Sequence, residues 1–175
     1  MPAGKFARSL VAACAALALL GAAHAQRVGH TPAPGENTTG LSQGLGEDST
    51  KRLNDGIEAL RAKNFLVAES AFEDVLRHNK TNPDANFMMG VTKMSMGKWE
   101  DAKTYLEIAV RKNPKGPDPK SRLAVTYIKL GDLDGAKKQR TELAKLDAAC
   151  KGACRDAKWI ADGIAMVDAA MPAKP

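Results

Sequence analysis

The chain has 175 residues, 44% of them hydrophobic but only 5% aromatic, and a formal net charge of +6. That length suits one domain or a short repeat array. A core this poor in aromatics must come from Leu, Ile, Val, Met and Ala, which suits closely packed helices better than a β-sandwich. The mild charge does not demand nucleic acid as a partner.

The first 25 residues read as an export signal. Lys5 and Arg8 precede a run from Ser9 to Ala23 that is apolar after its first residue, and Ala23-His24-Ala25 offers small residues where a signal peptidase reads them. Cleavage is expected between Ala25 and Gln26, which removes two bases and no acid and lowers the charge to +4. A span would need roughly 18 or more apolar residues, so no stable membrane span is expected after cleavage. The alternative is a lipoprotein anchored at Cys14, since Val11-Ala12-Ala13-Cys14 is similar to a lipobox. Only five residues separate Arg8 from Cys14, however, fewer than the about 7–15 of an apolar signal region.

Residues 26–48 are rich in Gly, Pro, Thr, Ser and Asn and show no apolar period, so they are expected to form a flexible lead-in. Beyond them the sequence repeats itself. Registers placed at Ser49, Pro83 and Pro117 recur every 34 residues. They align small residues at Gly56, Gly90 and Ala124, and loop residues at Lys63, Gly97 and Gly131. Bulky apolar residues follow at Phe65, Trp99 and Leu133, then Ala68, Ala102 and Ala136. Further on come Phe72, Leu106 and Arg140, then Val75, Ala109 and Leu143.

This pattern resembles the tetratricopeptide repeat, a helix–turn–helix unit of about 34 residues. The resemblance implies an all-α helical-hairpin solenoid of three repeats, at 49–82, 83–116 and 117–146. The middle copy fits best, with Gly90, Gly97, Trp99, Ala102, Leu106, Ala109 and Pro114 in the expected places. Lys63 replaces the loop glycine of the first copy. Arg140 replaces a bulky apolar residue in the third, so its outer side is expected to be exposed or differently capped. Residues 147–175 should hold a turn, a capping helix carrying Trp159, Ile160, Gly163, Ile164 and Val167 at helical spacing, and a fraying tail.

Cys150 and Cys154 are the cysteines left after cleavage, and in an oxidising compartment they are expected to pair across the turn at Gly152. A redox role would call for CxxC spacing and a βαβ context, which are absent. Met88, Met89, Met94 and Met96 could be read as a Cu(I) site, but adaptable packing explains them better. His30 and His78 lack ligand spacing. No catalytic motif, metal set or cofactor loop is found, so the expectation is a non-enzyme without cofactors.

The resemblance also implies a concave groove lined by the first helix of each repeat. Carried over by position, its residues are Leu53, Ile57 and Leu60, then Phe87, Val91 and Met94, then Ser121, Val125 and Ile128, bordered by Arg122 and Lys129. The set is mostly apolar and lacks the Lys and Asn pattern that clamps a terminal carboxylate in some members. It suits a helix or a hydrophobic segment. Filling in cis by the lead-in, or burial by tight curvature, is the competing reading. Arg111, Lys112, Lys115, Lys120 and Arg122 form a basic run, which is either a solvated loop or a steering patch for an anionic partner. The expected function is an adaptor or assembly factor of the bacterial envelope that binds a protein partner, with homo-oligomerisation as the alternative. Export argues against nucleic acid.

Overall fold

A computed structural model of the chain describes the backbone of residues 39–172 and the side chains of residues 48–172. The expected signal peptide, Cys14, His30 and the last three residues lie outside the described residues. Seven helices occur in the described part: α1 (Thr39–Arg61), α2 (Phe65–His78), α3 (Pro83–Ser95), α4 (Trp99–Lys112), α5 (Pro117–Lys129), α6 (Leu133–Cys150) and α7 (Ala157–Ala170). Two boundaries differ from the sequence expectation. Helix α1 begins at Thr39 instead of Ser49, so the last part of the supposed lead-in is helical. Extending an existing helix needs no new nucleus, and even a glycine-rich stretch can follow one. Helix α6 continues past residue 146 to Cys150, up to the disulfide turn.

Local chemistry sets the helix ends. Pro83 and Pro117 occupy the first turns of α3 and α5, where a missing N–H costs nothing. The side chains of Asn82 and Asp132 cap α3 and α6 by accepting from the amides of Ala85 and Gly135 at 2.9 and 2.8 Å. The three hairpin turns close in the same way. Asn64, Lys98 and Asp132 each donate an amide hydrogen to the carbonyl five residues back, on Ala59, Lys93 and Tyr127. The residue before each donor has positive φ: 59° at Lys63, 74° at Gly97 and 79° at Gly131. Lys63 therefore takes the left-handed conformation that glycine takes in the sister turns.

Successive helices pack as antiparallel neighbours, and α7 lies against both α5 and α6. Ala68, Ala102 and Ala136 are fully buried, as are Phe72, Leu106 and Leu143. Ala68 and Phe72 form a cluster with Met89, Ala102 and Leu106 one with Leu123, and Leu143 one with Ala124 and Val167. Among the described residues the core is thus divided along the chain, as expected of a stack in which each pair covers the next.

Polar links join the successive helix pairs. Lys93 of α3 is paired with Glu69 of α2. Burial alone would lower the Lys93 ammonium, but the hydrogen bond and charge of Glu69, with Asp101 and Tyr105, outweigh it and leave the group above the ordinary lysine value. One repeat later, the Tyr127 hydroxyl of α5 donates to Glu107 of α4 at 2.9 Å. Burial and the Glu107 contact push that phenol up to about 12. Arg140 of α6 donates twice to Asp168 of α7, both at 3.0 Å. The side chain that broke the repeat pattern thus holds the closing helix.

Candidate functional site: a groove completed by the last helix

Helices α3, α5 and α7 line two adjoining cavities. One, of about 480 Å³, lies at the N-terminal ends of these helices and is bordered by Asp84, Phe87, Met88, Lys115, Asp118, Arg155, Asp156 and Trp159. The other, of about 360 Å³, continues along them past Val91, Ser121, Arg122, Asp162, Gly163 and Met166. Phe87, Met88, Asp118 and Trp159 border both, so the two form one groove divided by an apolar saddle.

Trp159 is 55% exposed, whereas Phe87 and Met88 are half-buried. An indole standing that far out of a groove is unusual for a residue that normally finds a partner surface. The floor is tight where α7 crosses α5, because a Cβ on Gly163 would lie 3.3 Å from that of Ser121. Ser121 is itself buried and donates to the Asp118 carbonyl at 2.9 Å. Burial raises the Asp118 carboxyl above the ordinary aspartate value, Arg122 opposes this, and Asp156 and Asp162 add to it. Carboxylates therefore gather beside Trp159 despite the basic character of the whole chain.

Of the groove residues expected from sequence, Phe87, Val91, Ser121 and Arg122 come together here. Leu53, Ile57 and Leu60 pack against the first apolar cluster, Met94 against the second and Ile128 against the third. Val125 is half-buried and Lys129 exposed, and neither lines the two cavities. Sequence reasoning missed α7 as a wall. Its expected apolar face splits in two. Ile160, Gly163 and Val167 are buried against α5 and α6, while Trp159, Asp162, Gly163 and Met166 face the groove. Trp159, Gly163 and Met166, spaced four and three apart, were the available signal for that second stripe.

Other candidates disperse. Met89 sits in the first cluster, Met88 packs on it and Met94 packs on the second, so these methionines fill two cores. The basic run does not form one patch. Arg111 and Lys112 are exposed, Lys115 and Arg122 border the groove, and Lys120 is 4% exposed. Burial lowers the Lys120 ammonium, opposed by Glu142. Cys150 and Cys154 are bonded, with Cα atoms 5.2 Å apart, and Lys151 and Gly152 turn the chain at positive φ between them. No described helix is long and apolar enough to cross a membrane.

Known proteins agree with this architecture. The tetratricopeptide repeat family profile matches residues 59–117 and 96–149, together more than half of the chain. The chain belongs to the tetratricopeptide repeat family. No curated protein sequence matches it. Among solved structures, PcrH from Pseudomonas aeruginosa is similar, with a TM-score of 0.61 at 20% identity over 71% of this chain and 92% of that one. PcrH is also known in complex with the chaperone binding region of PopD. The Yersinia enterocolitica type III secretion translocator chaperone SycD superimposes with a TM-score of 0.61 at 12% identity, over 77% of this chain and 98% of that one. The TPR2B domain of yeast Sti1, in a pHsp70 complex, does so with a TM-score of 0.60 at 13% identity, over 71% of this chain and 99% of that one. At these identities the likeness concerns the fold.

Proposed function

We propose that the protein is a non-enzymatic adaptor or assembly factor of a bacterial envelope compartment that holds a segment of a partner protein in the α3–α5–α7 groove. The observation that carries this reading is the exposed Trp159 on the saddle between two cavities, flanked by Phe87 and Met88. Aromatic anchors at the centre of a groove supply most of the energy in protein recognition. The similar structures in complex with the chaperone binding region of PopD and with pHsp70 support a segment of a protein as the occupant. Export is supported by the basic and apolar start of the chain and by the bonded Cys150 and Cys154, since such bonds persist in oxidising compartments.

The test is affinity capture from envelope extract with residues 26–175, which retain every described helix. Two variants serve as controls. Phe87→Asp with Val91→Asp blocks the groove, but Phe87 also packs on a core cluster, so helicity must be verified. Trp159→Ala removes an exposed side chain without touching the core. A protein held by the wild type and lost with Trp159→Ala supports the reading. Equal capture by all three baits contradicts it.

A further inference from the structure

The first hairpin turn departs from its two sisters at three positions. Helices α4 and α6 open with Glu100 and Asp101, and with Asp134, acids that suit the positive end of a helix. Helix α2 opens Phe65-Leu66-Val67 with no acid in its first turn. Leu66 is 72% and Val67 52% exposed, and with Trp159 they are the large hydrophobic side chains exposed among the described residues. Just before them, Lys63 holds a positive φ where the sister turns have glycine, a strained choice for a residue with a Cβ. Each departure gives up stability and adds exposed apolar surface or positive charge. Exposed Arg61 completes the feature, and residues 59–68 contain no carboxylate.

The complement lies on the same chain. The groove offers exposed Trp159 with Asp84, Asp118, Asp156 and Asp162 around it; its bases are Arg122, Lys115 and Arg155, the last paired with Asp156 at 3.6 Å. Helices α2 and α7 share no contact, so the turn does not lie on its own groove. We propose that the Leu66–Val67 turn of one copy docks into the Trp159 groove of a second copy, head to tail. The proposal rests on the groove being a binding surface. Two different surfaces meet, so each copy keeps a turn or a groove for a further copy unless a reciprocal pair or a ring closes. A partner protein then competes with a neighbouring copy for one groove, and self-docking covers the apolar saddle until that partner arrives.

The test measures mass against concentration by sedimentation for residues 26–175. Leu66→Glu with Val67→Asp copies the Glu100–Asp101 start of α4 and so suits the fold, while Trp159→Ala disables the groove. Wild type is expected to rise with concentration to two or more chain masses, and each variant to remain at one. An equal mixture should form pairs of twice the mass and nothing larger, because one variant keeps the groove and the other keeps the turn. Three results overturn the proposal: a wild type that stays at one chain mass, a variant that associates like wild type, or a mixture that does not pair. If the wild type stays single yet captures a partner through Trp159, self-docking fails and the groove reading stands. If that capture also ignores Trp159, both fail. Vesicles of phosphatidylglycerol and phosphatidylcholine that bind a single-chain wild type but not the turn variant would assign the turn to a membrane and overturn self-docking.

Discussion

A methyl group on Gly90 would lie 2.6 Å from Cγ of Leu106, and one on Gly56 would lie 2.5 Å from Cε1 of Phe72. Both glycines exist so that a bulky side chain from the second helix can reach the backbone of the first. Gly90→Ala is therefore expected to destabilise the fold by about 1–3 kcal/mol, the usual cost of overpacking a tight core, as read by urea denaturation. The third repeat tolerates Ala124 because Arg140 stands where Phe72 and Leu106 stand, and it reaches out to Asp168. The small residues were legible in the sequence from their spacing. The destination of Arg140 was not, because its partner is 28 residues away on a helix outside the repeat period. Lys120 was misread for a related reason. As one of five bases in a run it looked solvated, yet it lies in the first turn of α5 and is buried there.

At the scale of the element, α7 shows what a repeat pattern leaves out. Its apolar residues announced a helix and a cap, and the structure has both. They did not announce two faces, because Trp159 and Ile160 are adjacent in sequence and point to different surroundings. Helix α1 carries the opposite lesson. Glycines at 40, 44 and 46 read as a linker, and yet the helix runs through them. Besides the burial of Ile160, Gly163 and Val167, the Cys150–Cys154 turn precedes α7 and the Arg140–Asp168 pair ties it to α6. The pair is exposed, so it is worth about 0.2–1 kcal/mol. Arg140→Ala should speed amide exchange in α7 by at most about fivefold while leaving α3 and α4 unchanged. Arg140 holds the Asp168 carboxyl below the ordinary aspartate value by hydrogen bond and charge. Its contribution is therefore present above the unfolded aspartate pKa and is lost as pH falls through the lowered one. The exchange difference between wild type and Arg140→Ala should shrink over that acidic range.

For the whole molecule, the stack turns a one-dimensional repeat into a continuous wall of first helices, and α7 extends that wall although no eighth helix accompanies it in the described residues. A closing helix that served only as a cap would bury its largest side chain, whereas Trp159 stands 55% exposed in the groove. On the proposed function, a protein segment occupies this groove. The most direct measurement places a photo-crosslinking benzophenone residue at Met166, within the groove, and in a second sample at Thr104, which is exposed on α4 and lines neither cavity. Irradiation in envelope extract should give a discrete protein adduct from position 166 and none from position 104. Equal labelling from both positions, or an adduct from position 104 alone, would contradict the account.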